Sequence, residues 1–368
     1  MARFKFPDLA VTTGIVLGAG AVILSLLGNP VNSGICISCF LENLAGSLQM
    51  HNVARMSYIR PELIGFLLGS FLMAKKMRRF RVTGGSSPVI RFLLGFFMIV
   101  GCGVFIGCPI KMILRLAAGD LTAVAAVLGL MFGIWLGSRY IRAGSVLDRD
   151  KELPQINGYI LPGIGLLLLI FALLQPSFIQ QGATGPAAQH APMLLSLAVG
   201  LLIGALSQRS GLCITGGLRN FFLFKEKTLL MGIIAAFGSA MMISLFVALL
   251  HKFGATEQTG FSLGFSEQPG SHPSNFWSFL AMVLVGLAAV IVDGCPFRQL
   301  VKAGQGDVDA GLTCFGMLTG AAFVVSWQLR STSAGPEFNG KIATLAGLIF
   351  CLTVVLAYRR KVRRSSED

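Results

Sequence analysis

The chain has 368 residues, 54% of them hydrophobic and 12% charged, with 30 Lys and Arg against 16 Asp and Glu. Soluble globular domains carry about 25% charged residues, so this composition excludes an ordinary soluble fold and points to lipid. The net charge of +14 collects in a few loops, which sets nucleic acid aside as a partner.

Apolar runs recur along the whole sequence, each near the ~20 residues a helix needs to cross the hydrocarbon core. About ten are predicted as membrane spans, at 11–28, 61–77, 88–106, 121–140, 157–174, 193–207, 229–250, 276–293, 310–328 and 342–358. Their Gly, Ala and Leu content suits close helix contact, so the predicted class is an all-α polytopic membrane protein. Arg3 and Lys5 before the first run imitate a secretory leader. No clean small-residue cleavage site follows, so the first run is read as an uncleaved span.

The first motif follows the first run. Ser33-Gly34-Ile35-Cys36-Ile37-Ser38-Cys39-Phe40-Leu41-Glu42-Asn43 returns as Ser210-Gly211-Leu212-Cys213-Ile214-Thr215-Gly216-Gly217-Leu218-Arg219-Asn220, with six of eleven positions identical. Asn43 and Asn220 suit a helix end or a pore wall. Cys36 and Cys213 read either as packing thiols of a short helix or as pathway groups. Glu42 and Arg219 occupy equivalent positions, which makes an ion pair between them conceivable. Cys36 and Cys39 form a Cys-x-x-Cys that could exchange disulfides, but Gly216 replaces the second thiol in the other copy.

The second motif follows the third run. Gly107-Cys108-Pro109-Ile110-Lys111-Met112-Ile113-Leu114-Arg115-Leu116-Ala117-Ala118-Gly119-Asp120 returns as Gly294-Cys295-Pro296-Phe297-Arg298-Gln299-Leu300-Val301-Lys302-Ala303-Gly304-Gln305-Gly306-Asp307. Five positions are identical, and Lys and Arg trade places at two more. Proline suits the first helical turn and glycine the end. The enclosed helix of about ten residues spans roughly 15 Å, half a bilayer, as a re-entrant element or half of a broken helix. Cys108 and Cys295 then stand at the N-cap, where the helix dipole favours anions and lowers a thiol's pKa. Lys111 with Arg115, and Arg298 with Lys302, are spaced i,i+4 and share a helix face. Cys102 lies just before the motif and could extend a line of sulfurs. Asp293 precedes the other copy and could couple protons, or be neutralised by Arg298 or Lys302. Asp120 and Asp307 suit N-caps of the next spans.

The repeats are offset by 177 and 187 residues. They divide the chain into residues 1–176 and 193–358, with a Gly/Pro/Gln-rich linker between and a basic tail at 359–368. Five spans per half is an odd number, so the second half is expected to enter the membrane inverted, with four short helices meeting as an hourglass. Lys75, Lys76, Arg78, Arg79 and Arg81, then Arg139, Arg142, Arg149 and Lys151, and the tail form the basic loops; 178–192 and 253–275 contain no Lys or Arg. The positive-inside rule then places both termini in the cytoplasm. Cys314 and Cys351 lie mid-span and read as small buried hydrophobes. There is no phosphate-binding loop, and the four histidines lack metal-ligand spacing, so neither ATP drive, cofactor, metal nor catalytic site is expected.

At these doubled cysteine motifs the sequence resembles the YeeE/YedE family of membrane proteins along essentially its whole length. The resemblance implies a bacterial inner-membrane protein, not an enzyme, taking up thiosulfate or, in the YedE branch, a selenium compound, beside a small soluble carrier of the TusA/SirA type. It implies an hourglass whose cysteines pass the substrate's terminal sulfur along by weak S–H···S contacts. Cys36, Cys108 and Cys295 are the pathway residues it suggests, with Cys213 following by repeat symmetry and the length and Cys-x-x-Cys closer to the selenium branch. The reading is therefore an uptake system for a small sulfur or selenium anion, lined by Cys36, Cys102, Cys108, Cys213, Cys295, Lys111, Arg115, Arg298, Lys302, Asn43, Asn220 and Arg219. The alternatives are a membrane thiol–disulfide oxidoreductase or a subunit presenting a sulfur or selenium relay.

Overall fold

The computed structural model describes residues 6–142, 147, 151–254, 260–265, 268 and 270–364, and the side chains among them from 8 to 358. Arg3, Lys5, Arg149, the tail residues 365–368 and the basic side chains of 359–364 lie outside the described residues.

In lipid each backbone polar group needs an internal partner, so apolar runs of this kind fold as helices. The first half is α1 (Phe6–Leu26), α2 (Ile37–Ser47), a 3-10 turn (Ala54–Met56), α3 (Pro61–Lys76), α4 (Pro88–Phe105), α5 (Pro109–Ala117), α6 (Ala123–Arg142) and α7 (Gln155–Leu174). A linker with the single turn α8 (Gly185–Ala188) leads to α9 (Met193–Ser210), α10 (Ile214–Phe224), α11 (Thr228–Lys252), α12 (Asn275–Ile291), α13 (Pro296–Gly304), α14 (Val308–Ser326) and α15 (Phe338–Arg364). The order long, short, long, long, short, long, long thus occurs twice. The strands β1 (Thr83–Gly84) and β2 (Lys151–Glu152) form a two-residue ribbon.

Nine stretches of the described residues are long and apolar enough to cross a membrane, and this is a multi-pass all-α membrane protein. The predicted run 61–77 accounts for the difference from ten. It forms α3, 16 residues ending in Lys75 and Lys76, about 24 Å long against a core of ~30 Å. The short run 193–207 extends to an 18-residue helix.

The halves are interleaved. α1 packs along α11 and α9 along α3; α4 packs along α14 and α12 along α6. In each case a helix meets the partner that its counterpart meets in the other half. Glycines form the seams: a Cβ on Gly14 would lie 1.9 Å from the Gly232 carbonyl, and one on Gly316 1.9 Å from that of Phe92. Without a strong hydrophobic drive between helices in lipid, such close backbone approach supplies the packing. The ends of the short helices are tied across halves as well. Leu121 N–H donates to Gly264 O after α5, and Thr83 N–H donates to Gly306 O after α13.

α7 and α15 depart from this pairing. α7 lies against α3 and α13, whereas α15 lies against α4 and α12. Most of Asn275–Gly304 is buried and little of Thr228–Lys252 is, so the Gly-Cys-Pro arms form the centre and α11 the lipid-facing rim.

Candidate functional site: two thiol pairs at joined helix starts

Cysteine is the N-cap of α2 (Cys36), α5 (Cys108), α10 (Cys213) and α13 (Cys295), each with extended backbone and each buried. Sequence reasoning placed only Cys108 and Cys295 there; Pro109 and Pro296 marked those starts, and α2 and α10 have no such marker. The two short helices of each half meet at their beginnings. Ile37 N–H donates to Cys108 Sγ at 3.3 Å, and the equivalent Ile214 N–H lies within reach of Cys295 Sγ. Cys213 Sγ and Cys295 Sγ are 3.6 Å apart, and Gly216 N–H donates to Cys213 Sγ at 3.2 Å. Each pair of thiols is therefore faced by two helix N-termini, whose free N–H groups and positive dipole ends favour an anion.

The turn that aims α5 is left-handed at Ile106 (φ 63), and the one that aims α13 is left-handed at Asp293 (φ 64). A β-branched residue in this region costs about 1–3 kcal/mol. Hydrogen bonds hold the turn: Gly107 N–H donates to Cys102 O at 2.7 Å, and Gly294 N–H donates to Ala289 O at 2.7 Å. The Gly-Cys-Pro helix is thus the continuation of α4 or α12 after a sharp break.

The first pair has more sulfur around it. Cys39 Sγ lies 2.9 Å from Cys36 Sγ, Ser38 Oγ lies 3.4 Å from Cys36 Sγ, and Cys102 sits beside Ser38. Lys111 is 2% exposed, and its ammonium makes no hydrogen bond or ion pair among the described residues. It lies in electrostatic reach of Cys36, Cys39 and Glu42. At the second pair the cations are engaged. Arg219 pairs with Asp293, Lys302 Nζ lies 3.3 Å from Asp293 and 3.2 Å from Asp307, and Arg298 donates to Ser207 O at 3.2 Å.

Several sequence expectations are redirected. Arg115 does not join Lys111 at the thiols. Its guanidinium donates to Asp120 at 2.7 Å, to Thr122 Oγ1 at 2.7 Å and to Phe105 O at 3.2 Å, so it fastens the end of α5. Asp120 consequently serves Arg115 and Thr122 and does not cap α6, whereas Asp307 does cap α14 by accepting from Ala310 N–H at 2.8 Å. Asn43 is a buried strut: its Nδ2 donates to Met56 O, and its Oδ1 accepts from Arg60 Nε. Asn220 donates to Glu226 at the surface. Glu42 does not meet Arg219. It pairs with Arg330, in the loop after α14, and Arg219 pairs with Asp293. Arg330 is the residue that sequence reasoning missed. A lone cation 288 positions from its partner carries no local signal. Cys314 and Cys351 are buried in α14 and α15.

Residues 209–367 match the family described as sulphur transport. The match falls on the second half of the chain, which is similar to that family. No curated protein matches the chain. Among the family-matched residues are Cys213, Arg219, Asp293, Cys295 and Lys302, the second thiol pair with its ion-pair cluster. The first half repeats the motifs of the matched half and builds the first pair in the same way. The chain is a multi-pass membrane protein whose second half is similar to the sulphur transport family.

Proposed function

We propose that the protein takes up a small anion with an exposed sulfur or selenium atom across the bacterial inner membrane. The two halves lie inverted in the bilayer with both termini in the cytoplasm, and α2, α5, α10 and α13 each reach part-way across. On this reading Cys36 and Cys108, with Cys102 beside them, serve the outer side, and Cys213 and Cys295 serve the inner side. The observation that carries it is the double construction: two thiols at two joined helix starts, built once from each half. Helix N-termini and Lys111, Arg298 and Lys302 attract the anionic end, and the thiols offer the soft atom weak S–H···S contacts. Weak successive sites let a solute move on, whereas one strong site would retain it. A small cytoplasmic sulfur carrier of the TusA/SirA type is the fitting recipient.

The test is uptake by the purified protein in liposomes, comparing thiosulfate, selenite and sulfate. Sulfate has the charge and shape of thiosulfate without the soft atom, and its uptake is expected to be slower by at least about tenfold, roughly 1.4 kcal/mol of discrimination. Equal rates for thiosulfate and sulfate would defeat the reading; the selenite rate decides between sulfur and selenium as the natural cargo.

The 2.9 Å contact of Cys36 and Cys39 favours one other reading, a thiol–disulfide exchanger. Full uptake by a Cys39→Ser variant excludes it, since exchange needs both sulfurs.

A further inference from the structure

Glu42 lies one helical turn beyond Cys39 on α2, and its side chain is 2% exposed. Its partner Arg330 is 24% exposed and lines two cavities. The smaller, about 450 Å³, is bounded by Ile106, Gly270, Arg330 and the hydroxyls of Ser331, Thr332 and Ser333. The larger, about 1100 Å³, runs past His51, Arg55 and Glu337. Ile106 is the break that aims α5, so the smaller cavity lies against the turn that leads into Cys108. Lys111 comes to the same place from below: a Cβ on Gly270 would lie 2.6 Å from Lys111 Nζ. Gly270 has φ +75 and no side chain, and it lines the smaller cavity, so among the described residues its bare backbone stands between the ammonium and that cavity.

Among the described residues the charges do not balance: two cations, Arg330 and Lys111, meet one carboxylate, Glu42, and the buried ammonium is without a hydrogen-bonded partner. An uncompensated buried cation is costly, and a second anion would relieve it.

We propose that Arg330 and Lys111 form a capture site for a small dianion at the cavity floor, and that Glu42 is the built-in anion that holds Arg330 until the solute replaces it. The proposal rests on the transport reading and assigns its capture step. The site reads charge and the thiols below read the soft atom, so a sulfate-like dianion is captured here and refused further on.

The experiment measures equilibrium binding of thiosulfate and sulfate to the purified protein, together with thiosulfate uptake. Arg330→Gln and Lys111→Gln are each expected to weaken binding of both anions at least about tenfold, the size of one charge-assisted contact. Glu42→Gln removes the competitor and is expected to tighten binding several-fold. These opposite signs are diagnostic, because a merely structural ion pair would respond alike to loss of either partner. Weakened binding in both Glu42→Gln and Arg330→Gln, or unchanged binding in either, overturns the proposal. If Glu42→Gln does not fold, sulfate decides with the wild-type protein: it must compete with thiosulfate for binding, and failure to compete overturns the capture site. Absence of thiosulfate uptake by the wild-type protein would remove the transport reading and leave the binding result standing. Normal binding by Arg330→Gln with uptake intact would remove only the capture site.

Discussion

The two thiol pairs are built alike and charged differently. Each has two cysteine N-caps, a proline at the first turn of one helix and a left-handed residue that breaks the preceding span. At that break the first site has Ile106 and the second Asp293. At the equivalent point on the other short helix the first has Glu42 and the second Arg219, so an acid stands in one copy where a base stands in the other. The second site is closed on itself, because Asp293 meets both Arg219 and Lys302. The first recruits Arg330 from a distant loop and leaves Lys111 unmatched among the described residues. A duplicated backbone therefore specifies the geometry of a thiol pair, and a few unrepeated side chains decide how the charges around that pair are partnered.

On the proposed reading both pairs lie in series, and the largest effect follows from breaking either one. Cys108→Ser and Cys295→Ser are each expected to lower thiosulfate uptake in liposomes by more than about tenfold, since a hydroxyl cannot replace the soft contact. Substantial uptake by one of them would show that the pairs are not equivalent stations.

Next come Asp120 and Asp307, equivalent in sequence and different in work. Asp120→Asn leaves Arg115 buried without its counter-ion (side-chain exposures 1% and 0%), which costs about 3–5 kcal/mol. Asp307→Asn keeps a capping side chain and weakens one contact to Lys302, which retains Asp293, so a smaller loss of about 1 kcal/mol is expected. Thermal unfolding in detergent should rank them in that order, and equal losses would mean that Arg115 finds another partner.

A smaller change makes the second site resemble the first. Gly216 stands where Cys39 does, and a Cβ there would lie 3.5 Å from Cys213 Sγ. Gly216→Cys in a Cys39→Ser background should move oxidant-induced loss of thiosulfate uptake from reagents added on the outer face to those added on the inner face. Unchanged sidedness would place the second pair elsewhere.

The smallest effect concerns pH. His272 Nδ1 accepts from Ser274 N–H, so the proton sits on Nε2, which donates to Val104 O at 2.9 Å. Burial holds its pKa below the ordinary 6.5. The unfolded chain then binds a proton that the fold refuses, so stability is complete above 6.5 and declines as pH falls below it. His272→Asn should flatten that decline in thermal melts between roughly pH 7 and 5. A slope identical to wild type would assign the pH response to another group.

The sequence carried the helices, the duplication and the Gly-Cys-Pro helix starts, because apolar length, repetition and a proline after an N-cap are local signals. It carried only half of each cation pair. The i,i+4 spacing of Lys111 and Arg115 states that they share a face, not what stands opposite. Asp120, five residues on, takes Arg115, and only the fold reveals that the chain turns back to deliver it. Asn43 reads as a pore group until the 3-10 turn and Arg60 are seen to occupy it. Glu42 and Arg219 occupy equivalent positions, but equivalence under the repeat is not contact.

The interleaving of the halves bears on how the molecule is made. When the ribosome has released α1 to α7, the glycine seams of α1, α3 and α4 still lack the helices that fill them, since α11, α9 and α14 come later. The first half must wait in the bilayer with narrow grooves lined by backbone carbonyls, open to lipid. Each new helix then slots beside one synthesised long before, and the thiol pair of the early half gains its Arg330 almost at the end of translation. An incomplete chain therefore lacks the Arg330 partner of Glu42, a built-in mark of unfinished assembly.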